Sequence, residues 1–300
     1  MKFDIVYTWV NGADAEYIDI WNSYSKVKKD RNPERYRDNL NLLKYSIRSL
    51  EKYFPDFGKI YLLTARPQVP EWLNESSDRL VVVHHDEVID AKYLPTFNSN
   101  VIESYLHKIP GISDHFLYMC DDHIFGAPTL LDRFYKGGKY MIYNTFFGEN
   151  LKWRIYDGYR DLIGLGLIEH NPVFINKHYW EEAFNLFPDK THQTRLSKFR
   201  DDRNFFPLKL YRYFMLKYKE AESQHVPIHQ VLKYHKFYKL TNKLKRQKKI
   251  VQDLKSKQPE FYCLNDDMRG EPNQSVVELI KKHLEETYPE PSSFEIQKGS

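Results

Sequence analysis

The run Phe116-Leu117-Tyr118-Met119-Cys120 is apolar and strand-forming, and it stops abruptly at Asp121-Asp122, with His123 and Phe125-Gly126 close behind. A strand with no polar alternation is buried on both faces, which points to a parallel sheet covered by helices. Open sheets of that kind bind ligands beyond the carboxyl ends of their strands, where this acid pair falls. Two adjacent acids repel each other when dry, and a cation relieves that repulsion. Carboxylates are equally at home in solvated turns. On this stretch alone both readings stay open.

The chain around it alternates strands and helices. Phe3 to Val10 reads as a first buried strand, ended by Asn11-Gly12-Ala13-Asp14. A polar stop there suits a nucleotide phosphate or ribose, although Asn-Gly pairs are ordinary turns too. Gly58 to Thr64 and Leu80 to His85 read as further strands. Between them, Leu42, Leu43, Tyr45, Ile47 and Leu50 have helical spacing, with Asp38 or Asn39 as cap and Arg37, Lys44 and Arg48 on other faces. Val101 to His107 reads as a helix carrying Glu103 in its first turn, and longer helices are expected at 178–187 and 194–220. Residues 130–170 suit short strands and a loop over the site. The expected fold is α/β, a mostly parallel sheet flanked by helices.

Residues 205–258 change character. Tyr, Lys and Leu alternate there with helical spacing, so a basic helical insertion or subdomain is expected within one domain spanning 1–300. Its run Lys243, Lys245, Arg246, Lys248 and Lys249 suits an anionic membrane surface or a polyanionic acceptor; a solvated helix face is the commoner explanation.

A chain of 300 residues is long enough for one large α/β domain. Its net charge of +4 gives no reason to invoke nucleic acid. Two cysteines, Cys120 and Cys263, with no CxxC pair, argue against a zinc–thiolate site and a disulfide framework. Met1-Lys2-Phe3-Asp4 does not read as a secretory signal, and no run of about 18 apolar residues is present to span a bilayer. A cytoplasmic protein, with peripheral contact at the inner face of the membrane, is expected.

Four blocks, in order, resemble the Stealth family, which includes bacterial capsule and exopolysaccharide phosphotransferases and the animal N-acetylglucosamine-1-phosphotransferase. Asp4 to Asp14 is similar to the first block. Arg37 to Lys52, Ile60 to Leu73, Leu94-Pro95-Thr96-Phe97, Ile102-Glu103-Ser104 and Leu117 to Gly126 are similar to the second. His170-Asn171-Pro172 and Lys198-Phe199-Arg200 resemble the third, and Phe261 to Asp267 with Pro289 to Glu295 the fourth. The match is poorest at Asp201-Asp202-Arg203-Asn204 and absent over 205–258.

The resemblance implies a GT-A-like nucleotide-sugar-binding core and transfer of a hexose 1-phosphate, such as GlcNAc 1-phosphate, from a UDP-sugar to a glycan hydroxyl. A phosphodiester forms and UMP leaves. Partners are then a nucleotide-sugar donor and a polysaccharide acceptor. Phosphoryl chemistry of this kind needs positioning and charge neutralisation, for which Mg2+ or Mn2+ suits oxygen ligands. Asp121 and Asp122 are the first metal candidates, and Asp266 and Asp267 the second. Arg37, Arg48 and Arg200 are candidates for the diphosphate, with Arg200 favoured by the third block. His170 is the expected base, and Asp122 competes with it. Asn11, Gly12 and Thr64 fit a uridine or ribose pocket at strand ends, and Asn98, Glu103 and Asn265 complete the expected binding set. Two other readings remain: a metal-dependent glycosyltransferase releasing UDP, and a non-catalytic glycan-binding protein, which the 16% aromatic content favours.

Overall fold

The computed structural model describes residues 1–25, 37–143, 170–201, 203–268 and 270–297. The strands, in chain order, are β1 (Asp4–Trp9), β2 (Ile60–Thr64), β3 (Leu80–His84), β4 (His115–Cys120), β5 (His123–Phe125), β6 (Tyr135–Lys136), β7 (Lys139–Tyr143), β8 (Val173–Asn176), β9 (Ser223–Val226), β10 (His235–Leu240) and β11 (Phe261–Asp266). The helices are α1 (Ala15–Tyr24), α2 (Leu42–Tyr53), α3 (His85–Val88), α4 (Ser99–Glu103), α5 (Lys177–Asn185), α6 (Pro188–Leu196), α7 (Pro207–Tyr218), α8 (Ile228–Tyr234), α9 (Leu244–Lys257) and α10 (Gln274–Thr287).

The central sheet has the order β3-β2-β1-β4-β8. Its first four strands are parallel and β8 runs antiparallel to β4. Ile5, Val6 and Tyr7 of β1 and Phe116 to Met119 of β4 are fully buried on both faces, as their unbroken apolar runs require. The α/β class with a mostly parallel sheet and flanking helices is therefore present. Helices α2, α5 and α7 supply Leu43, Ile47, Trp180, Tyr211 and Phe214 to the core around this sheet.

Asp4 at the start of β1 is buried because it has backbone work to do. Its two carboxylate oxygens accept the amides of Lys59 at 2.8 Å and Ser113 at 2.9 Å, tying the entries of β2 and β4 to β1. Gly58 lies against that carboxylate: a Cβ there would clash with Asp4 Oδ1 and sit 3.2 Å from the Phe3 carbonyl.

A second sheet, β10-β11-β5, stands beside the first. The link between the two is Asp121-Asp122, since β4 ends at Cys120 and β5 begins at His123. Side chains alternate across this sheet. Phe125 and Phe261 join the core of the central sheet, while Ile124, Tyr238, Leu240, Tyr262 and Leu264 face a second core with α9 and α10.

Three expectations change. The segment 205–258 is not all helix, because it also supplies β9 and β10, which pair with β7 and β11. Burial alternates along β10 only from Phe237 to Leu240, a pattern too short to stand out against the helical background. The long helix expected at 194–220 is broken, with α6 ending at Leu196 and Pro207 starting α7. Instead of one helix over 101–107, α4 is followed by a 3-10 turn at Leu106–Lys108. The loop expected over the site falls largely on residues 144–169, and Asp202 stands alone at 202; both lie outside the described residues.

Gly58→Ala should lower stability by about 1–3 kcal/mol, the usual cost of overpacking, because Asp4 cannot move without releasing two amides. Urea unfolding checks this; a midpoint equal to wild type would show that the β1 entry is loosely packed.

Candidate active site

A cleft opens at the carboxyl ends of β1 and β4, lined by Thr8, Trp9, Asp38, Glu103, Asp121, Asp122, His170 and Arg200 among others. The acid pair is thus in the crevice that parallel sheets reserve for ligands, not in a solvated turn.

Asp122 is buried, and donors from three elements converge on it. His170 Nδ1 lies 3.1 Å from Asp122 Oδ2. The Cys263 thiol is 3.1 Å from the same oxygen, and the Asn265 amide 3.4 Å. His123 Nε2 lies 3.7 Å from Asp122 Oδ1. Burial pushes the Asp122 carboxyl up, but His170, His123 and the Cys263 thiol outweigh it and hold the group below the usual carboxylate range. Asp122 is therefore an anion at every working pH.

The tautomers follow from the partners. His123 Nδ1 accepts the Cys120 amide at 3.1 Å, so the proton of neutral His123 is on Nε2, facing Asp122. Burial lowers His123 to about 3, which keeps it neutral. His170 presents Nδ1 to Asp122, which places its proton there and leaves Nε2 as the basic atom. His170 is a non-glycine residue at φ +54, in the left-handed region. Its carbonyl accepts a hydrogen bond from His235 Nε2 at 3.0 Å, and its neighbour Asn171 accepts one from Arg212 at 2.6 Å. Burial lowers His235 to about 4, so it stays neutral and donates a single fixed bond.

Asp121 differs from its neighbour. Burial, then the charges of Asp122 and Asp38, push its carboxyl well up. Asp38 and Asp266 line the same cleft. The cap position of α2 is Asn41 rather than the expected Asp38 or Asn39, and Asn41 makes no side-chain cap bond; Asp38, from the turn before it, still accepts the Leu42 amide at 3.0 Å. Glu103 is buried at the other side, 3.4 Å from the Tyr118 hydroxyl. Burial raises Glu103 to about 7, against the pull of Arg200, Tyr118 and His170.

Of the expected residues, Arg37, Glu103, Asp121, Asp122, His170, Arg200, Asn265 and Asp266 line the cleft together. Six others are employed elsewhere. Arg48 makes a two-pronged ion pair with Glu295, both contacts at 2.7 Å, and bonds the Tyr288 carbonyl, so it anchors the C-terminal segment rather than a diphosphate. Asn98 caps α4 and donates to the Ser197 and Phe199 carbonyls and to Asn204. Asp267 pairs with Lys239 at 2.7 Å. Asn11 exchanges two hydrogen bonds with Gln68, which fixes the turn at Gly12. Thr64 is wholly buried at the end of β2. Sequence reasoning missed Cys263, Asn171, His123 and Arg212 as parts of the site. Only contacts across 41 to 143 residues of chain reveal Arg212, Cys263 and Asn265 there.

Cys120, Asp122, His123 and His170 each offer a ligand atom, all within 4.8 Å of one another. A ligating imidazole donates its other ring proton to a neighbour. His123 does the reverse, so this group reads better as a hydrogen-bonded network around Asp122. Three further carboxylates line the cleft, Asp121, Asp38 and Asp266. They are hard oxygen donors of the kind Mg2+ or Mn2+ takes, and Asp38 already accepts from the Trp9 indole and the Leu42 amide, as Asp266 does from the Met268 amide.

Comparison with known proteins agrees with the first, second and fourth of the expected blocks. Residues 1–19 match Stealth protein CR1, conserved region 1, residues 35–142 match CR2, conserved region 2, and residues 252–300 match CR4, conserved region 4. The chain belongs to the Stealth family. His170 and Arg200 lie outside the matched ranges. A capsular polysaccharide phosphotransferase of Haemophilus influenzae is 28% identical, over 89% of this chain and 78% of that protein. An exopolysaccharide phosphotransferase of Lactiplantibacillus plantarum is 27% identical over 97% of this chain and 96% of its own length. Against a Streptomyces coelicolor exopolysaccharide phosphotransferase, 31% identical, the chain spans about half the relative's length, 52%. Among solved structures, the galactosyltransferase LgtC in complex with donor and acceptor sugar analogues aligns with a TM-score of 0.49 at 11% identity, over 95% of this chain and 96% of that one. The family places the chain among transferases. Among the described residues no helix is long and apolar enough to cross a membrane.

The raised Glu103 carboxyl makes stability fall with pH. The folded state holds a proton up to about 7 that the unfolded state releases near 4.5. Unfolding free energy should therefore drop as pH rises from 4.5 to 7, by up to about 3 kcal/mol. Glu103→Gln should remove that slope, and an unchanged slope in urea unfolding across this window would show that Glu103 ionises freely.

Proposed function

We propose that this cleft transfers a hexose 1-phosphate, such as GlcNAc 1-phosphate, from a UDP-sugar to a glycan hydroxyl, in capsule or exopolysaccharide synthesis. One observation carries the reading: the buried Asp122 carboxylate lies against His170 in a cleft that also holds two arginines and three further carboxylates. The family's named phosphotransferases supply the substrate class.

The acceptor hydroxyl gives its proton to His170 Nε2 as its oxygen attacks the phosphorus bonded to the sugar 1-oxygen. The bond from that phosphorus to the bridging oxygen breaks, and UMP leaves with the electron pair. Asp122 stabilises the imidazolium that forms, as an ionised carboxylate beside a histidine does. Arg200 and Arg37 neutralise phosphate charge. Arg200 is held by the Ser99 hydroxyl at 2.9 Å from its Nε and is exposed, so its guanidinium can meet a diphosphate without a buried partner being lost. Asp121, with Asp38 and Asp266, would hold the divalent cation, which supplies charge neutralisation on the leaving phosphate when bound. Asp122 is thus an orienting anion rather than a ligand, and Asp266 a better ligand than Asp267.

The test is the identity of the released nucleotide. Incubation with UDP-sugars, Mn2+ or Mg2+ and an acceptor polysaccharide should release UMP, and Asp122→Asn should slow release by at least about 100-fold, within the range of general-base losses. Release of UDP instead would assign an ordinary glycosyltransferase, and release of neither by any donor a non-catalytic glycan-binding protein.

A further inference from the structure

The stretch between the second and fourth matched regions, residues 143–251, contributes β10 to the edge of the second sheet. The register across that sheet shows which of its side chains reach the site. Phe237 of β10 pairs with Cys263 of β11, which pairs with His123 of β5. Lys239 pairs with Asn265 in the same way. Residues 235, 237 and 239 alternate with Tyr238 and Leu240, which are buried in the α9–α10 core. Phe237 therefore shares a sheet face with Cys263 and Asn265, the two side chains that bond Asp122.

On that face the three neighbours differ in fate. His235 is buried and bonds the His170 carbonyl, and Lys239 pairs with Asp267. Phe237 is 46% exposed, although its ring centroid lies 5.6 Å from the His170 ring. An edge strand ordinarily presents charged or small groups to water. A phenylalanine left half uncovered there forfeits part of the stabilisation that full burial would give it. Its ring packs beside the imidazole that takes the proton in the proposed reaction.

We infer that Phe237 is the acceptor platform: a sugar ring of the acceptor glycan lies flat on it and presents its hydroxyl to His170 Nε2. The chemistry fits both partners. One face of a pyranose is a patch of C–H groups, which packs on the negative face of an aromatic ring, while its hydroxyls stay at the edge for hydrogen bonds. Only one nearly flat apolar surface is needed, and Phe237 supplies it at a distance from His170 of about one ring width. Asp121, Asp38 and Asp266, which serve the charged donor, belong to other elements of the cleft. The platform comes from a strand outside the three matched family regions, where a choice among acceptors can vary without touching donor chemistry. This inference rests on the proposed transferase reading.

The experiment is glycan-array binding with the intact protein and no donor, for wild type, Phe237→Ala and Phe237→Trp, beside UMP affinity by calorimetric titration and UMP release from donor on the same preparations. Wild type should retain one or more glycans, Phe237→Ala should lose at least tenfold in affinity, and Phe237→Trp should restore it, with UMP affinity equal in all three. Binding that survives Phe237→Ala, UMP affinity that falls in step with glycan affinity, or no glycan retained by wild type overturns the platform. Phe237-dependent binding without nucleotide release would keep the platform and remove the transferase reading. Release of UMP with Phe237-independent binding would do the opposite.

Discussion

A buried carboxylate is expensive unless it is hydrogen-bonded, and the centre of this protein is arranged around one. Asp122 lies in the two-residue step between the central sheet and the second sheet. Its backbone carbonyl accepts the Leu264 amide at 3.0 Å, so the same residue that collects the donors also pins β11 beside β5. The three side chains on its Oδ2 come from β11 and from the turn before β8. Removing any one would leave the charge under-solvated in a low-dielectric site, where such losses cost most. The position of β11, the turn at His170 and the step at Asp121-Asp122 are therefore one coupled arrangement rather than three.

That coupling separates two acids that look equivalent in sequence. Asp122 is drawn towards the anion by imidazoles and a thiol, and Asp121 is pushed towards the acid by Asp122 itself and Asp38. Pairs of titratable groups pushed apart by their surroundings are how one site assigns different tasks to the same chemical group. The orienting task and the cation-holding task fall on different residues for this reason. The left-handed backbone of His170 belongs to the same logic. It costs roughly 1–2 kcal/mol in a non-glycine residue, and the hydrogen bonds from His235 and Arg212 hold the loop where the imidazole can meet Asp122.

What could be read from the chain follows the range of the interactions. The strand at Phe116 to Cys120 and its acid pair were legible because burial on both faces leaves an unbroken apolar run. The helix at Leu42–Tyr53 was legible because its apolar spacing is local, while its cap fell at Asn41, two or three residues later than expected. Arg48 and Asn98 were misassigned because nothing local distinguishes an arginine that clamps a phosphate from one that clamps Glu295, 247 residues away. The short strand β10 carries no clear sequence signal because its six residues, His-Lys-Phe-Tyr-Lys-Leu, satisfy both periods poorly. The role of Cys263 was invisible because it depends on which strand lies against β5. Resemblance to the family carried His170 and Arg200 into the site on their blocks, and the geometry then supplied the partner that makes His170 basic at Nε2.

The central claim is that Asp122 fixes the proton of His170 on Nδ1. Histidine-selective 15N NMR of the intact protein at neutral pH reads this directly. The account predicts an Nδ1–H tautomer for His170 with a downfield proton, both lost in Asp122→Asn. An Nε2–H tautomer for His170 in the wild type would contradict it.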